Sequence, residues 1–285
     1  MIVLSPLSIR SVTMGSYQPL FRTGQFSARR LAAVALVSGL VITSPATIAS
    51  DAASGQSTTW GLGLGVSSRQ DAYIDVDRNN TPIPFLHFEN RYVRFFGATL
   101  EAKLPGMTLS ETNRINFRLL GRWDGAGYEA DDSWMLEGME ERESGIWAGA
   151  KVEWQTSLMN LSADWTHDVS GNSEGQRLSL TLDRPWQVGE RFTLTPRIGA
   201  MWHDSEYVDY YYGVRAHEAR AGRPEYHGES GISTEVGLQG VYRFNNHHSI
   251  MFDVEATSLS SEASDSPLVD SSTENRVFMG YMYHF

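Results

Sequence analysis

The sequence contains no cysteine, and only two of its 285 residues are lysine, Lys103 and Lys151. Without thiols there is no disulfide framework and no thiolate zinc centre. After residue 49 no segment approaches the ~20 consecutive apolar residues of a spanning helix, so that stretch carries no helical anchor. Basic charge is also short, and the formal net charge is −11. Removing residues 1–49 would take away Arg10, Arg22, Arg29 and Arg30 and no acid, moving the charge from −11 to −15. A chain this acidic is ill suited to nucleic acid, which is held by neutralising phosphates, or to an anionic inner leaflet.

What is present begins with an export signal. Arg29 and Arg30 precede the apolar run Leu31 to Ile42, and Pro45 with small residues leads to Ala49. The pattern is a basic n-region, an h-region and cleavage after Ala49, with Thr47 at −3. A buried core helix would interrupt the run with polar spacing. The n-region is extended, which leaves Met14 as an alternative start. The residues around Arg29-Arg30 lack the rest of a twin-arginine motif. The expected division is a signal peptide over 1–49, a short segment over 50–57 and one exported domain over 58–285.

That domain alternates with period two. Trp60, Leu62, Leu64 and Val66 are spaced by Gly61, Gly63 and Gly65, giving one bulky face and one bare face. Ile115, Phe117, Leu119 and Trp123 alternate with Asn116, Arg118 and Arg122. Ile146 to Trp154, Leu161 to Thr166, Leu178 to Leu182, Phe192 to Trp202, Val236 to Phe244 and Ile250 to Ala256 repeat the pattern. The polar faces carry arginines and acids, while the apolar faces end in aromatics, as at a membrane interface. A β-sandwich also alternates, but it does not need charges on its second face. A mean hydropathy of −0.31 fits a barrel, whose strands average apolar with polar.

The reading is an all-β, transmembrane, antiparallel up-and-down β-barrel in the outer membrane, in contact with its lipid. Val277, Met279, Tyr281, Tyr283 and Phe285 alternate to the last residue. The Tyr281, Tyr283, Phe285 ending resembles the signal read by the barrel-assembly machinery. Segments 124–144, 170–174, 204–230 and 260–272 fall on one side as mostly long, acidic loops. Segments 105–112, 155–157, 185–190 and 245–247 fall on the other as short turns. An even strand number then requires two short strands in 91–104 bending near Gly97. The expected total is twelve, with ten as the fallback.

Catalytic motifs are missing. No G-x-S-x-G elbow occurs, and a barrel hydrolase acting on lipid A is left as an alternative that intact lipid A on overexpression would remove. His203-Asp204 reads as a strand end and His247-His248 as a turn pair with too few ligands for a metal. The acids Glu129, Asp131, Asp132, Glu137, Glu140, Glu141 and Glu143 lack EF-hand spacing. No catalytic residue, metal or cofactor is expected. Arg118, Arg122, Arg177 and Arg197 should face the lumen with Asp164, Asp183 and Glu235. Pairing across strands would plug the barrel, whereas separation by sign would line a selective pore.

The loops carry a resemblance. Tyr210-Tyr211-Tyr212-Gly213-Val214 follows Asp209 and precedes Ala216, Glu218, Ala219 and Tyr226. Ser266-Pro267-Leu268-Val269 follows Asp265, Leu136-x-Gly138-Met139-x-x-Arg142 comes earlier, and Gly280-Tyr281-x-Tyr283-x-Phe285 closes the chain. Together, over about residues 60–285, these resemble the MipA/OmpV family of outer-membrane proteins. The resemblance implies a non-enzymatic scaffold joining a lytic transglycosylase to a peptidoglycan synthase. Other relatives imply a surface adhesin or antigen, or a porin-like small-solute channel. The tyrosines should fold over the barrel mouth, with Gly213 allowing a sharp turn and Pro267 stiffening its loop.

The outer-membrane fraction should yield a band that shifts on boiling and whose N-terminal sequence begins near Ser50. A soluble periplasmic protein with no shift would leave the β-sandwich.

Overall fold

Residues with a bulky outward face and a small or charged inward face roll a sheet up until its edges meet. In the computed structural model, which describes residues 58–285, they close a twelve-stranded antiparallel barrel. The expected signal peptide over 1–49 and the segment 50–57 lie outside the described residues.

The first six strands are β1 (Thr59–Gln70), β2 (Asn79–Glu89), β3 (Val93–Phe96), β4 (Thr99–Ser110), β5 (Asn113–Trp123) and β6 (Ile146–Gln155). Then come β7 (Asn160–Asp168), β8 (Gln176–Asp183), β9 (Trp186–Val188), β10 (Phe192–His203), β11 (Gly231–Arg243), β12 (His248–Ser258) and β13 (Thr273–His284). β8 and β9 both pair with β10 on the edge away from β11, so they form one wall strand interrupted at Arg184-Pro185. Two helices, α1 (Ser205–Tyr212) and α2 (Ser261–Ser264), lie in the long loops.

The wall closes where β1 pairs with β13, from Gly61 opposite His284 to Gln70 opposite Asn275. At that seam Trp60 stacks on Phe285 with ring centroids 3.7 Å apart, and the Phe285 N–H donates to the Trp60 carbonyl at 3.0 Å. Tyr283 meets Phe285 edge-on at 4.9 Å, and Tyr281 is exposed on the outer face.

Two sequence expectations need correction. Residues 105–112 are not a turn, because β4 runs to Ser110 and the turn is only Glu111-Thr112. The alternation predicts no strand over 79–89, yet β2 forms there although Pro82 and Pro84 cannot donate to a ladder. β3 has four residues and meets β2 only at His87 to Glu89. Asn79 to Phe85 therefore pairs on one edge alone, where missing N–H groups cost nothing. The short β3 does turn into β4 at Gly97, whose φ of +56° suits glycine.

The lumen is filled in two ways. Near β1, β2, β12 and β13 it is apolar, with Ile83, Phe85, Met251, Phe278 and Met282 buried together. The bare face of β1 makes this possible. A Cβ on Gly63 would lie 2.3 Å from the Phe85 ring, and one on Gly65 2.6 Å from Phe278. The remaining wall turns charged side chains inward.

Gly63→Val should push the Phe85 ring aside and cost about 1–3 kcal/mol, as overpacking does. The readout is the urea midpoint of the heat-modifiable band. An unchanged midpoint would mean that the ring has another place to lie.

Candidate functional site at the roofed barrel mouth

At the long-loop end the chain builds a second apolar core above the wall. Asp204 caps α1, its Oδ1 accepting from the Tyr207 N–H at 3.0 Å. Tyr207, Val208, Tyr211 and Tyr212 are buried on the inner side of the helix. They pack with Tyr73, Tyr128, Leu136, Met139, Trp147, Val214 and Leu268, drawn from four different loops and the start of β6. The loop motifs around Tyr210 to Val214, Ser266 to Val269 and Leu136 to Arg142 meet here, while the closing Gly280 to Phe285 run lies at the β1–β13 seam.

A helix ends with carbonyls that have no intrahelical partner. In α1 each of the last three is taken by a different loop. Arg142 Nε donates to the Tyr210 carbonyl at 2.7 Å, Tyr73 Oη to that of Tyr211 at 3.0 Å, and Ser266 Oγ to that of Tyr212 at 2.6 Å. The same Ser266 Oγ accepts from the Leu268 N–H at 3.2 Å, and Pro267 between them is half-buried.

Arg142 also makes a two-pronged pair with Glu218, at 3.1 and 2.9 Å, and both side chains are essentially dry. The Glu218 carboxylate further accepts from the N–H groups of Glu140 and Arg215, each at 2.9 Å. Arg223, fully buried, donates to the carbonyls of Glu218, Met135 and Glu137. Burial works to raise the Glu218 pKa. The hydrogen-bonded Arg142 guanidinium and the two backbone N–H groups outweigh it and hold the carboxyl below its ordinary range. Burial pushes the Tyr207 phenol up to about 12, and raises Tyr211 and Tyr212 further, so all three stay neutral.

Gly213 has a different role from the one expected. Its φ is −73°, open to any residue, so no sharp left-handed turn is present. Space is the constraint, since a Cβ there would fall 2.2 Å from the Asp209 carbonyl oxygen. Val214 follows, buried and bridged to Tyr226.

Beneath the lid, the lumenal arginines pair across strands. Arg118 meets Glu153 at 3.0 Å and Glu101 at 3.3 Å. Arg122 lies 3.8 Å from Asp164, and Arg177 pairs with Asp124 while lying 3.7 Å over the Trp147 ring. Arg197 reaches Glu235, Asp253 and Glu255 at 2.6–2.7 Å, and Arg276 shares the last two. A cavity of about 160 Å³ remains between this charged layer and α1.

The other candidates resolve into structure. Asp204 is the α1 cap, and His203 stacks on Tyr207 at 4.2 Å. His247 bonds the His284 carbonyl through Nδ1, and His248 bonds the Tyr281 hydroxyl. Glu140, His217 and Glu218 bring ligand atoms within 4.8 Å of one another, but Arg142 and Arg215 already bond the two carboxylates. Sequence reasoning missed α1 itself. Asp204 before apolar residues at 207, 208, 211 and 212, with Gly213 beyond, is the helix signal that was there to find.

Fold and mouth together define an outer-membrane β-barrel closed by its own loops. The match of residues 62–285 to the family described as MltA-interacting protein MipA shows that the chain belongs to that family. It is 28% identical over 232 residues to the MltA-interacting protein of Escherichia coli (strain K12), covering 79% of this chain and 89% of that protein. It is 25% identical over 230 residues to the outer membrane protein OmpV of Vibrio cholerae, covering 79% and 86%. Among solved structures it is similar to the NanC porin, with a TM-score of 0.42 and 11% identity over 78% of this chain and 98% of that one.

The lid should respond to acid. Because the Glu218 pKa is depressed in the fold, its contribution is complete above the free value of about 4.3 and is lost as pH falls through the lower folded value. Limited proteolysis of loops 124–145 and 204–230 should therefore accelerate at acid pH. Arg142→Ala should open the same sites at neutral pH, at a cost of about 3–5 kcal/mol for the orphaned carboxylate. Equal protection at every pH would remove Glu218 from this role.

Proposed function

We propose that the protein is a non-enzymatic outer-membrane scaffold, a closed barrel whose short-turn end holds a peptidoglycan-remodelling enzyme. The carrying observation is the filled interior: inward arginines bond carboxylates on neighbouring strands, and an apolar lid covers the mouth. The relative's name, MltA-interacting protein, supports a lytic transglycosylase as the first partner; a peptidoglycan synthase joined through it rests on the family resemblance alone. In this reading residues 1–49 are cleaved on export. The seam residues Tyr281, Tyr283 and Phe285 then serve the barrel-assembly machinery.

Loop length puts the short turns in the periplasm. There the β4–β5 hairpin runs past the end of β3, so Pro105 to Ser110 pairs with β5 alone and exposes Met107 and Leu109. An open edge with apolar side chains accepts an added strand from a partner. The porin-like reading draws on the cavity under the lid and predicts stable ionic conductance.

A lytic transglycosylase should co-purify with the protein in mild detergent, and Met107→Asp with Leu109→Asp should abolish that while leaving the heat shift intact. Failure of the unaltered protein to retain the enzyme, or steady conductance steps in a planar bilayer, would overturn the closed-scaffold reading.

A further inference from the structure

The cavity beneath α1 has a sorted lining. Its volume is about 160 Å³. The roof is apolar, made by Tyr207, Val208 and Tyr212 of α1 with Leu259 and Ala263 beside and within α2. The walls below are charged, and the two sides differ.

On the β5–β8 side the lining is cationic. Arg122 and Arg177 border the cavity with Asp124. Arg177 is more than nine-tenths buried, yet its Nε and Nη2 have no hydrogen-bond partner, and neither has Arg122 Nε. Asp164, the carboxylate paired with Arg122, is 3.8 Å away, beyond hydrogen-bond reach.

On the β11–β13 side carboxylates are in excess. Glu235, Asp253 and Glu255 share Arg197 and Arg276, while Glu274 and Asp71 share Arg69. Of these, Glu235, Glu255 and Glu274 line the cavity together with Arg69 and Arg276, three carboxylates to two guanidiniums. A buried guanidinium with idle donors and a wall rich in carboxylates are each unfavourable when left unmatched.

One small molecule answers both. We propose that the chamber binds a free amino acid with an apolar side chain. Its carboxylate would accept from Arg122 and Arg177, its ammonium would face Glu235, Glu255 and Glu274, and its side chain would lie under Val208 and Tyr212. A simple anion would leave the surplus carboxylate of the acidic wall unanswered, and a simple amine would leave the idle donors of Arg122 and Arg177 so. This site stands apart from the docking edge on β4, and it holds whether or not a cell-wall enzyme binds there.

The test is isothermal titration calorimetry of the full protein, extracted from outer membranes in mild detergent. The probes are L-leucine, L-valine, 4-methylpentanoate and 3-methylbutylamine. Leucine or valine should bind, and the two singly charged analogues should bind at least about tenfold more weakly, a loss of ~1.4 kcal/mol or more. Arg122→Gln should weaken the amino acid by at least a similar factor while keeping the heat-modifiable shift. Glu190→Gln, at the opposite end of the barrel, should leave binding unchanged. No heat from either amino acid overturns the proposal, as does 4-methylpentanoate binding as tightly as leucine. Unaltered binding by a folded Arg122→Gln variant would place the ligand elsewhere and overturn it as well.

Discussion

Three carbonyl groups at the end of α1 organise the outer half of this molecule. A helix of eight residues cannot satisfy its own C-terminus, and this one lies under other chain segments, away from water. The carbonyls of Tyr210, Tyr211 and Tyr212 go to Arg142, Tyr73 and Ser266, from three separate loops. Long loops are entropically expensive to order. Here one short helix ties three loops together besides its own, and the aromatic side chains beneath it supply the apolar burial that offsets the ordering. Arg142 adds a favourable cation at the negative end of the helix, and Glu218 completes its charge. Removing any one donor leaves a buried carbonyl unmatched, so the lid behaves as a unit rather than as four independent loops.

The barrel interior follows a related rule with two solutions. Side chains must fill a cross-section too wide for backbone alone. Where β1 presents glycine, phenylalanine rings from β2 and β13 cross into the vacant space. Where the wall presents charges, each guanidinium must find carboxylates, because a half-satisfied polar interior is worse than an apolar one. Gly237 shows the second solution in detail. The Arg197 guanidinium lies over it, and a Cβ there would sit 2.5 Å from Cζ. That space lets one arginine reach three acids on β11 and β12.

Much of the wall was legible because period-two alternation is a direct consequence of strand geometry. Trp60 to Val66 and Ile250 to Ala256 put their apolar side chains outside, as the spacing requires. β2 has no clean alternation to show itself by, with Pro82 and Pro84 in its outer half, and the shortness of β3 leaves that half paired on one edge. The end of β4 was hidden by Pro105 and Gly106, with the register shift between Leu104 and Met107 absorbing the irregularity. For the mouth, the motif residues were visible but their relations were not. Ser266 and Tyr212 are 54 positions apart, and no local pattern announces a bond between a hydroxyl and a helix-end carbonyl. The choice between paired and sorted lumenal charge was likewise open, since alternation fixes the face of Arg197 but not its partners.

Most of the cations in these contacts are arginines, with Lys151 the buried lysine of the wall. An ammonium is a compact, strongly hydrated charge, whereas a guanidinium offers five donors in a flat fork. The interior and lid need cations that bridge: Arg197 spans three carboxylates, Arg142 a carboxylate and two carbonyls, Arg223 three carbonyls. Lysine would lack the span for such bridges. Lys103 sits instead in a simpler place, on Glu89 and the Asn90 carbonyl near the short-turn end. At Arg197 the bridges are complete, each made to a carboxylate on β11 or β12. Where they are incomplete, as at Arg122 and Arg177, idle donors border the cavity, which is the ground on which a ligand is proposed there.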